Sequence, residues 1–361
     1  MGGVKSLCLT SPLSDKNILK NTKFYIFCIF FSLIFSTNKA VAKENEITIG
    51  LLKFGTVNWE IDIIKTNKLD EKNNINIKTK FFANKNSAAT ALQGNAVDMI
   101  VTDWVWVSRQ RSENRKYVFY PHSMSIGGII VPHDSEIINI DDLKEKRLGI
   151  AGSSIDKSWL LFRAYLKKRT GIDGKKFVKP IFAAPPLLNK LIINNEVDAV
   201  LNYWHYKARL QSAGFRELIS VEDILKNLGI ETKIPSYGWV FNEKFAEENM
   251  LTINNFFNAS KEAKKIMMIS DAEWERIYPL TQAEDRSTLI YLRDTYRKGI
   301  PVKFSIQEIQ ETKKVFKILS DFFFFANFRR SVLGCIDSCD SENRRIFQLF
   351  SRSTKLAHFC T

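Results

Sequence analysis

The feature that most constrains this chain is a short sentence written twice. Residues 97–109 read VDMIVTDWVWVSR and residues 197–209 read VDAVLNYWHYKAR, aligned at a spacing of 100 with no gap. Val97, Asp98, Trp104 and Arg109 recur as Val197, Asp198, Trp204 and Arg209. The surroundings repeat as well. ITIGLLKF (47–54), INIKTKFF (75–82) and VDMIVT (97–102) read as strands, and the helical patterns WEIDIIKT (59–66), SAATALQ (87–93) and WVWVSRQR (104–111) alternate with them. RLGIAG (147–152), FVKPIF (177–182) and VDAVLN (197–202) then read as strands, with DKSWLLFRAYLKKR (156–169), PPLLNKLIINN (185–195) and WHYKARLQSAG (204–214) as helices. Strands separated by helices of this length predict right-handed β-α-β units on a parallel sheet. Two copies make two α/β lobes; a solenoid needs at least three.

Two extended stretches, 117–132 and 234–242, are placed to carry the chain from one lobe to the other and back. After the second, the pattern is mostly helical to about residue 321. The expected architecture is an α/β clamshell of two lobes, each a mainly parallel sheet flanked by helices, whose cleft closes about two crossings. The expected boundaries are 43–120 for the first part of lobe 1, 121–236 for lobe 2, and 237–321 for the return to lobe 1 with the C-terminal helices.

The two ends differ from this body. Lys16, Lys20 and Lys23 precede the uncharged run FYIFCIFFSLIF (24–35), and Ala40-Val41-Ala42 follows with small residues where a signal peptidase reads. That pattern predicts a signal peptide over 1–42, cleaved after Ala42, and hence a periplasmic mature protein. As a helix the apolar run would be about 18 Å long, too short for a bilayer core of about 30 Å. Cys8, Cys28, Cys335, Cys339 and Cys360 all lie in the ends; 43–321 has none, which excludes a thiol nucleophile or a Cys-ligated metal there. Of the net charge of +14, residues 1–42 carry +4 and 322–361 carry +3, leaving +7 spread over the body. No basic cluster interleaved with aromatics emerges, so no nucleic-acid partner is expected. From residue 322 the Lys/Ile/Asn-rich usage gives way to Arg, Ser and Cys after a run of phenylalanines, and the 322–361 tail reads as a shifted frame or as a genuine extension.

The phrases LLKFGTVNWE, GNAVDMIVTDWVWVSRQR, DDLKEKRLGIAG, SSIDKSWLL, AAPPLLNKL and EVDAVLNYWH resemble the substrate-binding proteins of ABC importers. Within them, they are similar to the nitrate/sulfonate/taurine class. The resemblance spans about residues 46–321. It implies a type II periplasmic-binding-protein fold, a small-molecule ligand held between the lobes, and an ABC permease in the inner membrane as partner. It also implies a monomer with no cofactor, no metal and no catalytic residue. The alternative on the same fold is an enzyme like the thiamine-pyrimidine synthases, whose cysteine-rich motif this body lacks. A third reading, the ligand-sensing domain of a transcription regulator, would need a helix-turn-helix segment that residues 1–46 do not show.

Ligands of open α/β sheets sit beyond the carboxyl ends of the strands. Those ends offer Thr56, Asn58, Thr102, Asp103, Ser153, Ser154 and Asn202 as polar groups, with Trp59, Trp104, Trp204 and His205 as flat or polar walls, and the return crossing adds Tyr237. Trp104 and Trp204 can equally be core residues at the sheet surface. Ser153 with Asp156 matches a capping box, although a helix start can also hold an anion. Asp156 in the cleft would instead favour a cation. The aromatic content suits an organic ligand, a heterocycle or small sulfonate, over an inorganic anion. Where the two copies differ, Asp103 against Tyr203 and Val105 against His205, ligand choice is expected to reside. Asp98 and Asp198, at the far ends of their strands, are expected to cap turns.

Overall fold

The computed structural model describes residues 45–301 and 306–322. The expected signal peptide and nearly all of the 322–361 tail lie outside the described residues. In lobe 1 the chain runs β1 (Glu46–Leu52), α1 (Val57–Thr66), β2 (Asn76–Phe82), α2 (Lys85–Gln93), β3 (Met99–Thr102), α3 (Trp104–Ser112) and β4 (Tyr117–Ser123). Lobe 2 follows with β5 (Gly128–Val131), β6 (Arg147–Ala151), α4 (Lys157–Thr170), β7 (Lys179–Ala183), α5 (Pro185–Ile193), β8 (Ala199–Asn202), α6 (Trp204–Ser212) and β9 (Arg216–Ser220). The chain returns through β10 (Tyr237–Asn242) and ends in helices, the longest being α7 (Met250–Ile269), α8 (Arg286–Lys298) and α9 (Ile306–Phe322).

The duplication extends to topology. The sheets have orders β2-β1-β3-β10-β4 and β7-β6-β8-β5-β9. The first three strands of each are parallel, and the fourth, β10 or β5, runs against both its neighbours. The reversed strand is in each case the first one laid down after a crossing, so each sheet is completed by chain arriving from the other lobe. The sheets are thus mainly parallel, as expected, with one reversed strand apiece. Asp98 and Asp198 close the ends away from the cleft. The Asp98 carboxylate accepts the Thr48 N–H at 2.7 Å, and the Asp198 carboxylate accepts the Arg147 N–H at 2.7 Å. The recurrent Val-Asp thus ties the third strand of each sheet to the first.

Burial follows the pattern of a two-sided sheet. Ile47, Ile49 and Met99 in lobe 1, and Leu148, Ile150 and Ala199 in lobe 2, have no exposed surface. Removal of such side chains from water is the main stabilising term, about 25 cal/mol per Å² of apolar area. The C-terminal helices divide between the lobes. α7 packs on α1, and α8 buries Leu289, Leu292 and Tyr296 in the lobe 1 cluster while also touching α6 of lobe 2, whereas α9 packs on α4 of lobe 2. The expectation that residues 237–321 return as one block to lobe 1 is corrected accordingly: Val315, Phe316 and Leu319 of α9 are buried with lobe 2 residues. Among the described residues no helix is long and apolar enough to cross a membrane.

Candidate functional site

Six helices begin beside the carboxyl ends of the parallel strands, and their N-caps match at the same spacing of 100: Thr56 with Asp156, Asn84 with Ala184, and Asp103 with Tyr203. Asp103 caps α3 by accepting the Trp106 N–H at 3.0 Å. Asp156 caps α4 by accepting the Ser158 N–H at 2.9 Å. The capping box expected from Ser153 is corrected: Ser153 and Ser154 are exposed on the preceding turn, and Asp156 is itself the cap. Short polar side chains at such positions satisfy backbone N–H groups the helix leaves free. Here two of them are carboxylates, one from each lobe.

Around these carboxylates the two lobes and the return crossing bring together Lys85, Lys157, Tyr203 and Tyr237. The Tyr203 hydroxyl donates to the second Asp156 oxygen at 3.0 Å. Buried Lys157 donates to the Ser236 carbonyl at 2.9 Å, with its Nζ 4.8 Å from the centre of the Tyr237 ring. Half-buried Lys85, the first residue of α2, puts its Nζ 4.9 Å from the Tyr203 ring centre and 5.0 Å from that of Tyr237. Distances under about 6 Å are cation–π contacts. Gly152 makes room for the group: its φ of +87° suits glycine alone, and a Cβ there would stand 2.9 Å from the Tyr203 hydroxyl.

The charges in this cluster perturb one another. Burial works against the Lys85 ammonium, but Tyr237, Tyr203, Asp103 and Asp156 outweigh it and hold Lys85 charged above the usual lysine range. Lys157 moves the other way: burial lowers it to about 8, aided by Lys85, against the pull of Asp103 and Asp156. Burial raises Asp156, opposed by Lys85 and its hydrogen bonds from Ser158 and Tyr203. Burial also raises Tyr203 and Tyr237, which stay protonated. His205 is lowered to about 3, first by burial and then by Arg209 and Lys85, and is neutral at ordinary pH.

The remaining sequence candidates fall into two groups. Asp103, Asp156 and Tyr237 stand in the cluster. Asn202 is not available to a ligand: its amide donates to the Pro185 carbonyl at 3.0 Å and to Asn189 at 2.8 Å, and its oxygen accepts the Tyr203 N–H at 2.8 Å. Trp59, Trp104 and Trp204 are 4–6% exposed and lie in hydrophobic clusters, so they are packed anchors where open walls were expected. Thr102 is buried at the end of β3, and half-buried Thr56 caps α1 without a side-chain bond to it. The Asn58 amide donates to the Leu52 carbonyl at 3.1 Å. Asn58 Oδ1, Trp104 Nε1 and His205 Nδ1 are buried atoms without a hydrogen-bond partner among the described residues. Lys85 and Lys157 were not sequence candidates. Both directly flank a cap residue, Asn84 or Asp156, which is the one local signal that could have marked them.

The alkanesulfonate-binding protein SsuA of Xanthomonas axonopodis pv. citri, bound to MOPS, is similar over 78% of this chain and 94% of its own, at 15% identity and a TM-score of 0.62. The periplasmic aliphatic sulphonate binding protein SsuA of Escherichia coli is similar over 77% of this chain and 88% of its own, at 17% identity and a TM-score of 0.62. The Candida albicans CA3427 gene product, described as having the generic periplasmic binding protein fold, is similar over 80% of this chain and 94% of its own, at 11% identity and a TM-score of 0.56. At such identities the likeness is one of fold. No curated protein matches the chain. The family model described as NMT1/THI5 like matches residues 71–273, more than half of the 361 residues and inclusive of both copies of the repeated sentence, and the chain therefore belongs to the NMT1/THI5-like family.

Proposed function

We propose that this chain is the solute receptor of an ABC importer: a periplasmic protein that closes its two lobes on a small organic molecule and hands it to a membrane permease, without chemical conversion. The observation that carries this reading is the placement of the polar cluster. Lys85 and Asp103 come from lobe 1, Asp156, Lys157 and Tyr203 from lobe 2, and Tyr237 from the crossing between them. A ligand touching all of them is bound only when the lobes are together, which is what couples binding to closure. The solved neighbours named above support the reading, two of them being sulfonate-binding proteins by title. Retention of the solute unchanged is the point of difference from an enzyme on the same fold.

A thermal-shift screen of the purified full chain against sulfonates, pyrimidines, amines and nitrate tests it. A solute that binds only the closed form raises the melting temperature by mass action. Recovery of that solute intact by NMR after long incubation is expected. Its conversion to a product would place the chain among enzymes.

A further inference from the structure

The most crowded point of the cleft holds an ammonium group that belongs to the protein itself. Lys85 Nζ lies about equally far from two ring centres, at 4.9 Å and 5.0 Å, one ring from lobe 2 and one from the return crossing. Its own backbone is in lobe 1. One flexible side chain thus bridges three segments, and the seat it occupies already accommodates a cation.

The charge around that seat has a definite sign. Tyr203 and Tyr237 are protonated and His205 is neutral. Counted by formal charge, the remaining partners Asp103 and Asp156 contribute two negative charges and Lys157 one positive charge. Lys157 is fixed by its bond to the Ser236 carbonyl. Without Lys85 the surroundings sum to one negative charge, and Lys85 balances it. An anion in the same place would meet two carboxylates in a low-dielectric setting, where like charges repel far more than in water. Two aromatic faces likewise attract a cation.

We propose that Lys85 is a tethered surrogate ligand whose ammonium fills the seat that a small organic cation, a primary or methylated ammonium compound, takes in the loaded protein. This rests on the receptor reading and names the solute class for the same cleft. Lys85 sits on a long unbranched stem at the first turn of α2, so it can leave toward solvent without disturbing the helix. While it remains, it holds the unloaded lobes together and competes with the solute, so apparent affinity falls with the fraction of molecules whose seat is free.

Calorimetry on the full chain with methylammonium, tetramethylammonium, methanesulfonate and uracil as probes separates the possibilities. At least one of the two ammonium ions is expected to bind wild type. Lys85→Ala and Lys85→Met are expected to bind it about tenfold more tightly, and Tyr203→Leu about tenfold more weakly. Circular dichroism on each variant confirms folding, and the second lysine variant guards against failure of the first. If the ammonium ion binds wild type and both lysine variants equally, the surrogate role is overturned. Binding of methanesulfonate or uracil with both ammonium ions inert in wild type and in both lysine variants overturns the cation assignment and leaves the receptor reading standing. Loss of methanesulfonate binding in Lys85→Ala would make Lys85 an anion ligand. If no probe binds any form, and native mass spectrometry finds no solute carried through purification, the receptor reading falls together with the inference.

Discussion

Asn202 ends β8 immediately before the cleft, yet both its amide hydrogens and its oxygen are engaged by Pro185, Asn189 and the Tyr203 N–H. It is 1% exposed. Replacement by alanine leaves the half-buried Pro185 carbonyl, Asn189 amide oxygen and Tyr203 N–H without this partner, and an unsatisfied group costs up to about 1–3 kcal/mol as it is buried. Asn202→Ala is expected to lower unfolding stability by about 3 kcal/mol in urea titrations. Lys157 gives a second prediction at this scale. Its folded pKa of about 8 lies below the ordinary lysine value of 10.5, so between those values the unfolded chain holds a proton that the folded chain has released. Stability rises with pH wherever the unfolded state binds more protons. Below pH 8 the folded protein carries the full cost of a buried ammonium, roughly 3 kcal/mol at 1.36 kcal/mol per pKa unit. Wild type is therefore expected to gain on Lys157→Met by up to that amount between pH 8 and pH 10.5. A stability difference that stays flat over that range in urea titrations would mean that Lys157 is not depressed.

At the scale of elements, the crossings depend on close backbone approach. A Cβ on Gly127, in the first crossing, would stand 1.8 Å from the Asn202 carbonyl oxygen and 2.9 Å from its carbon. Those atoms are backbone of the strand end that β5 pairs with, so β5 would have to move away from β8. Gly127→Ala is expected to cost about 3 kcal/mol, the upper end of ordinary overpacking, read as a lower melting temperature. The three parallel strands of each lobe and the helices after them were legible in the sequence because period-2 and period-3.6 patterns are local and a repeat at a spacing of 100 checks each assignment against its twin. β4, β5 and β10 read only as extended crossings and β9 was not read, because none of them carries a repeated phrase at that spacing. The site was legible only in part. Asp103 and Asp156 followed from the rule that ligands sit at strand ends and Tyr237 from its place on the return crossing, and the Asp103/Tyr203 difference pointed at two members of the polar cluster. Lys85 and Lys157 were not legible, because which way a lysine stem turns depends on the ring faces and carboxylates that tertiary folding brings near it. Asn202 and the tryptophans were misread for the converse reason: a residue at a strand end faces the ligand or the neighbouring element, and sequence alone does not choose.

For the whole molecule, those tryptophans decide how the lobes are joined. Trp204 starts α6 of lobe 2 but packs edge-on to Trp59 of lobe 1, with ring centres 6.1 Å apart and planes at 89°, and lies 6.2 Å from Tyr296 of α8. Trp104 starts α3 of lobe 1 but lies 6.4 Å from Phe316 of α9, which is buried with lobe 2. Each copy of the repeated sentence thus sends its tryptophan into the other lobe's core. Arg209, on the same helix as Trp204, reinforces this by donating to the Thr281 and Gln282 carbonyls at 2.7 Å each and to Glu284 at 2.6 Å. The contact between the lobes thus carries an apolar contribution, since a buried indole is worth about 3–5 kcal/mol against alanine. Trp204→Ala is expected to increase the radius of gyration of the solute-free protein in small-angle scattering, because lobe 2 loses its anchor in the lobe 1 core. Trp159→Phe is the matched control: Trp159 is fully buried against Phe162 and Phe182 within lobe 2, and its change is expected to lower the melting temperature without expanding the molecule. Equal scattering profiles for Trp204→Ala and wild type would show that the crossings and C-terminal helices alone hold the lobes together, and the exchanged tryptophans would then be ordinary core residues that happen to lie at a boundary.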